Sequence, residues 1–82
     1  MNRTEIIETT KRFLSEEFEV NPDVIESANN LRDTLDLDSL DYVDLVVVID
    51  ENFGFKPTAD DLKGVETFEH FFELVERKLE IA

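Results

Sequence analysis

Leu35-Asp36-Leu37-Asp38-Ser39-Leu40-Asp41-Tyr42-Val43-Asp44-Leu45-Val46 is the stretch from which the fold is read. It predicts a helix that begins at Asp38-Ser39 and runs to about Phe53. Asp38 can accept from the free N–H groups of the first turn, and Asp41, three residues on, completes a capping-box-like pair. Asp38, Asp41 and Asp44 also lie near the positive end of the helix dipole. Gly54 is placed to close the helix in a left-handed cap. The β-branched run from Val43 to Ile49 also reads as a buried strand. Valine costs only about 0.5 kcal/mol relative to alanine in a helix, however, and the caps and the length favour helix. The Ser39 hydroxyl then stands exposed at a helix N-terminus, where N–H groups and a positive dipole suit a phosphate. Taken alone, an Asp-Ser pair at such a position more commonly does no more than help cap the helix.

Upstream, Thr4 to Phe18 has the spacing of a helix with one buried stripe: Ile6, Thr10, Phe13 and Glu17 lie on one line, with Ile7, Leu14 and Phe18 beside it. Asn21-Pro22 ends it, because proline disfavours helix in the residue before it. Residues 21–38 form a long connection with apolar anchors at Val24, Ile25, Leu31, Leu35 and Leu37, and Asn29-Asn30 marks a turn. Loops this long are normally functional or packed by their own side chains. Downstream, Thr58 with Asp61 starts a short helical turn that Gly64 ends. Thr67 caps a last helix through about Leu79, whose Phe68, Phe71, Phe72, Val75 and Leu79 make a core stripe. Arg77 and Lys78 fall in its last turn, where cations suit the dipole. The expected fold is all-α, a small bundle of three main helices plus one short helix, in a single domain over 1–82.

The chain has 82 residues with 21 acids against 8 bases, a formal net charge of −13. Such a charge repels nucleic acid and anionic membranes. Between Asp33 and Phe55 no Lys or Arg occurs, while Asp33, Asp36, Asp38, Asp41, Asp44, Asp50 and Glu51 do. That surface either only solubilises the chain or docks basic partners. The apolar share of 41% suffices for a globule, and a domain of 82 residues has little room for a deep enzyme pocket as well as its core. The longest apolar run, Leu45 to Ile49, cannot span a bilayer. With no signal-peptide pattern at the N-terminus and no cysteine, a soluble, cytoplasmic monomer is expected, without membrane insertion. A calcium loop starting at Asp36 fails, since its fifth, sixth and twelfth positions are Leu40, Asp41 and Val47. An enzyme needs a nucleophile with a base, and the one histidine, His70, sits in the last helix beside the phenylalanine stripe. No metal-ligand set is present.

The central stretch resembles the acyl carrier protein signature, Leu-Gly-x-Asp-Ser-Leu-Asp followed by x-Val-Glu-Leu-Val. Asp50-Glu51-Asn52-Phe53-Gly54 is similar to the acidic-acidic-x-Phe-Gly that closes the family's second helix, and Thr67-Phe68 and Phe72 fall where its last helix has a capping Thr and apolar core. The resemblance covers nearly the whole chain. It implies an acyl-carrier-like bundle that is not an enzyme and carries acyl intermediates as thioesters, for fatty acid, polyketide or related synthesis. The implied cofactor is 4'-phosphopantetheine, transferred from coenzyme A to Ser39, with Asp38 helping to position metal and coenzyme A. The implied partners are a phosphopantetheinyl transferase and acyl-chain synthases, reductases and acyltransferases with basic patches. They would meet exposed Leu40, Val43 and Val47 and an acidic rim of Asp41, Asp44, Asp50 and Glu51, while Leu45 and Ile49 match buried positions. Two departures stand out. Asp36 replaces the family's usual Gly, and if that position needs a left-handed backbone Asp is among the few replacements tolerated. In Phe55-Lys56-Pro57-Thr58-Ala59-Asp60 the proline comes one residue early, which bears on the short helix and any acyl pocket beside it and hints at a dedicated side-pathway carrier. Leu37-Asp38 favours the acyl over the peptidyl carrier type, and an unmodified acidic helical adaptor is the remaining alternative.

Overall fold

Three long helices and two short ones make up the computed structural model, which describes residues 2–81; Met1 and Ala82 of the expected 1–82 domain lie outside it. The long helices are α1 (Arg3–Phe18), α3 (Ser39–Phe53) and α5 (Phe68–Ile81), and the short ones α2 (Leu31–Leu35) and α4 (Ala59–Lys63). Each start has a local cause. Asn2 caps α1 by accepting from the Glu5 N–H at 2.8 Å. Thr58 caps α4 by accepting from the Asp61 N–H at 3.1 Å, and Thr67 accepts from the His70 N–H at 3.3 Å in the first turn of α5. Side-chain acceptors at these positions satisfy donors that have no partner inside the helix. Gly54 ends α3 at φ 79°, in the left-handed region.

The faces meet as their spacing requires. α1 buries Ile6, Thr10, Phe13 and Leu14; α3 buries Leu45, Val48, Ile49 and Phe53. α5 contributes Phe68, Phe71, Phe72, Leu74 and Val75. Phe13 meets Phe53 edge-on with ring centres 5.6 Å apart, and Phe53 stacks on Phe55 at 6.4 Å. Each such side chain stabilises by about 1.5–3 kcal/mol through the water it sheds. At one end Arg3 pairs with both Glu69 and Glu76 and lies over the Phe72 ring, joining the start of α1 to α5. No helix among the described residues is long and apolar enough to cross a membrane.

The connection from 21 to 38 differs from its sequence reading in three ways. It contains a 3-10 turn at Pro22–Val24 and the extra helix α2. Asn30 is no turn residue: its side chain caps α2 by accepting from the Asp33 N–H at 2.9 Å, and the turn lies just upstream, closed by the Asn29 N–H to the Glu26 carbonyl. Val24 is not an anchor, being 39% exposed, while Ile25, Leu31, Leu35 and Leu37 are buried. The segment is stitched to the start of α5 by backbone bonds Leu31 N–H to Glu66 C=O, 3.0 Å, and Phe68 N–H to Asn29 C=O, 3.2 Å. Those bonds satisfy backbone groups that a loop under the bundle would otherwise leave unpaired.

Candidate functional site

Asp36 sets the entry to α3. It closes α2 at φ 52°, in the left-handed region, so the position does need the backbone that the family's usual glycine supplies. Leu37 then turns inward and is buried, and Asp38 is brought to the cap of α3. Both first-turn bonds land on one carboxylate oxygen: Asp38 Oδ1 accepts from the Leu40 N–H at 2.9 Å and the Asp41 N–H at 3.0 Å. Asp41 Oδ2 reciprocates by accepting from the Asp38 N–H at 3.2 Å. The capping box read from the sequence is therefore complete.

Ser39, the first residue of α3, is exposed, and its hydroxyl makes no hydrogen bond among the described residues. The bland reading of this serine as a helix cap fails, because Asp38 does that work. One expectation about phosphate also changes. The Leu40 and Asp41 N–H groups are occupied by Asp38, so the helix end does not offer them to an anion, and the capping carboxylate offsets the dipole there. What the position does offer is an unhindered primary alcohol held on a rigid helix.

Along α3 the apolar residues split into two sets. Leu45 and Ile49 are fully buried, whereas Leu40, Val43 and Val47 are 76%, 61% and 48% exposed. At about 100° per residue the three exposed ones share a sector with Asp44, Asp50 and Glu51. Asp44 and Glu51 are open to solvent and Asp50 is half-buried. Asp41 falls outside that sector: half-buried and turned back into the cap, it flanks the stripe from the side.

On the other side of Ser39 stands the short helix read from Thr58 and Asp61, with a hollow beside it. α4 forms despite the early Pro57, which is itself buried, and Thr58 still reaches Asp61. Between α3 and α4 opens a cleft of about 270 Å³ lined by Tyr42, Ala59, Leu62 and Lys63. Beside it a second hollow of about 420 Å³ is lined by Asn30, Arg32, Asp33, Tyr42, Leu62, Lys63, Val65 and Glu66. No one-dimensional signal marks Tyr42 or Leu62 as lining residues, since both also serve the core edge. Asp61 is tethered at the far side of α4, where Lys78 approaches to 3.2 Å. The bond from the Thr58 N–H, above all, and Lys78 hold the Asp61 carboxyl below the usual aspartate range against the opposing effect of burial. Likewise the pairing with Arg3, more than any other contact, lowers Glu69. His70 is half-buried and structural: its Nδ1 accepts from the Glu66 N–H at 3.2 Å. Among the described residues no group of three or more His, Cys, Asp or Glu is arranged to hold a metal.

A free hydroxyl at the start of a helix, an apolar cleft one turn away and an acid-edged apolar stripe match what comparison with known proteins returns. Residues 8–75 match the family model described as "Phosphopantetheine attachment site". The chain is similar to the acyl carrier protein of Saccharopolyspora erythraea, 35% identical over 90% of this chain and 78% of that one. It is as similar to the acyl carrier protein of Thermotoga maritima, 35% identical over 95% of this chain and 96% of the relative. The acyl carrier protein of Petrotoga mobilis is 30% identical over 99% of this chain and 95% of its own. The chain belongs to the acyl carrier protein family, the phosphopantetheine-bearing carriers.

Proposed function

We propose that Ser39 carries the phosphopantetheine arm and that the chain is a non-catalytic shuttle for acyl groups in an acyl-chain biosynthetic pathway. The observation that carries this reading is the unused Ser39 hydroxyl, exposed at the first position of α3 while Asp38 does the capping. The arm supplies the thiol on which the acyl group is held as a thioester, a thiol this cysteine-free chain does not itself possess. The residues fit it: the alcohol is accessible to a large transferase, and the cleft at Tyr42 and Leu62 gives an attached acyl group apolar surface to lie against. Asp38 Oδ1 is committed to the cap, and Oδ2, without a protein donor among the described residues, is the oxygen available to help position metal and coenzyme A during transfer.

The partners in this reading are a phosphopantetheinyl transferase and then the synthases, reductases and acyltransferases that work on the tethered group. Leu40, Val43 and Val47 supply apolar contact, and Asp44, Asp50 and Glu51, with Asp41 at the side, supply the acidic rim for Lys and Arg on those enzymes. The carrier works as a single-domain cytoplasmic monomer. The test is intact mass after incubation with coenzyme A and a broad-specificity transferase, on the parent chain and on Ser39→Ala. The parent gains one phosphopantetheine and the variant gains none while keeping its helical content, because its cap is untouched. Gain by the variant moves the site elsewhere; no gain by either leaves an unmodified acidic adaptor.

A further inference from the structure

The chain has four lysines, Lys11, Lys56, Lys63 and Lys78, and the fold sets them apart. Phe13 meets the Phe53 ring at 5.6 Å, so the second half of α1, with Lys11, lies against the C-terminal end of α3. Lys56 follows that same end, which the helix places about 21 Å along its axis from Ser39. Lys78 is engaged on the far side of α4 by Asp61 at 3.2 Å. Of the four, Lys63 is the one that lines the cleft at Tyr42 among the described residues. Tyr42 follows Ser39 by three residues, about 4.5 Å along the helix axis and about 60° around it. The Lys63 amine is little engaged. Its pair with Asp60 is 3.9 Å long, between side chains that are 79% and 94% exposed, and such a contact is worth almost nothing in water. α3 itself carries neither lysine nor cysteine.

We propose that Lys63 is a self-acylation site: a carboxylic acyl group held as a thioester on the arm passes from the arm's sulfur to Nζ of Lys63. The inference rests on the arm being carried by Ser39. A lysine amine in its neutral form is a nucleophile toward a carbonyl carbon. Nζ bonds to the thioester carbon and the C–S bond breaks. The sulfur leaves as thiolate and takes up, through water, the proton that the nitrogen sheds. The products are an amide on Lys63 and the free arm thiol, with no other reactant consumed. Tethering makes the encounter intramolecular, at an effective concentration on the order of millimolar for a flexible link. The reaction competes with consumption of the thioester by partner enzymes, so it marks carriers whose cargo has waited. It removes one positive charge from the edge of the cleft and leaves the acyl group there, while the arm is free to be loaded again.

The test prepares the acetylated arm from the apo protein, acetyl-coenzyme A and a broad-specificity transferase. Free acetyl-coenzyme A is removed and the protein is incubated alone at mildly alkaline pH. Timed samples are treated with hydroxylamine, which strips thioesters and oxygen esters and spares amides, then weighed intact and mapped by peptide. The hydroxylamine-resistant acetyl mass should grow at a rate independent of protein concentration, quicken as the pH is raised, and map to Lys63. An arm thiol should appear for each amide formed. Lys63→Arg keeps the charge at an exposed position and should slow the reaction by about tenfold or more, because Lys11 and Lys56 start from the far end of α3. Lys56→Arg should keep the parent rate. A Lys63→Arg protein that gains resistant acetyl at the parent rate overturns the inference. So does a rate proportional to protein concentration, or acetyl mapped to Lys11, Lys56 or Lys78 in place of Lys63. An arm that loads and stays wholly hydroxylamine-sensitive overturns the inference and leaves the Ser39 assignment standing. Failure of Ser39 to take the arm at all, read by intact mass before incubation, removes both.

Discussion

Lys78 Nζ lies 3.2 Å from Asp61 Oδ2, the same oxygen that accepts from the Thr58 N–H at 3.0 Å. One carboxylate thereby caps the five-residue helix α4 and ties it to α5. Five residues are too few for a helix to hold by itself in water. The position of α4, and with it the width of the cleft at Tyr42, depends on this tether.

Asp61→Asn keeps an acceptor for the Thr58 N–H but removes the charge that Lys78 meets, and is expected to lower stability by about 1 kcal/mol at pH 7, the upper scale of a surface ion pair, or roughly 4–8 °C in a domain of this size. The pH sense follows from the lowered carboxyl. A folded-state value below the unfolded one, about 4, means that the contribution is present above pH 4 and disappears as the pH falls through the folded value. Melting curves of both proteins from pH 7 to pH 2 should converge below pH 4. A gap of constant size down to pH 2 would show that the ionised carboxylate is not its source.

Thr10 on α1 is fully buried, and its hydroxyl has no hydrogen-bond partner among the described residues. A hydroxyl stripped of water without a partner costs about 1–3 kcal/mol, and valine keeps the shape while removing it. Thr10→Val should therefore stabilise by about 1 kcal/mol in urea unfolding with an unchanged m-value. Destabilisation by that variant would mean that the hydroxyl bonds in solution, the Ile6 carbonyl one turn back being the nearest acceptor by helix geometry.

The stripe and rim on α3 make separable contributions to partner binding. Asp44→Lys and Asp50→Lys should slow association with the cognate transferase several-fold and flatten its salt dependence, because rim charges steer encounter. Val43→Ala and Val47→Ala remove desolvated contact and should chiefly speed dissociation. Stopped-flow association at two salt concentrations separates the two effects. Equal association rates for the parent and the two charge reversals, with helical content intact, would reduce the acidic face to a solubilising surface.

A net charge of −13 on 82 residues sets a self-repulsion that salt relieves. The melting temperature should rise as sodium chloride is added, and rise at lower concentration with magnesium. The pairs at Arg3 and Lys78 weaken under the same screening, so the sign of the change reports which contribution dominates. A melting temperature that falls with salt would show that the ion pairs outweigh the repulsion.

Much of this molecule is written in local chemistry. Asp38 with Asp41, Thr58 with Asp61, and Gly54 each act within four residues, so the ends of α3 and the start of α4 could be placed from residue types alone. The phenylalanine stripe of α5 needs only helical period, and the left-handed Asp36 was legible because the family's glycine there points to that backbone. The Ser39 position came from the same string of residues. α2 did not, because five residues cannot display a period, and its first N–H is satisfied by Glu66, 35 positions away. Nor did the exposure of Val24 or the lining of the cleft by Tyr42 and Leu62. Sequence determined which segments are helical and which face each buries, since caps and periodicity are properties of neighbouring residues. Tertiary structure alone decided where α4 lies against α3 and α5, and hence the space beside Ser39, because the volume of a cleft is set by side chains brought together from distant points along the chain.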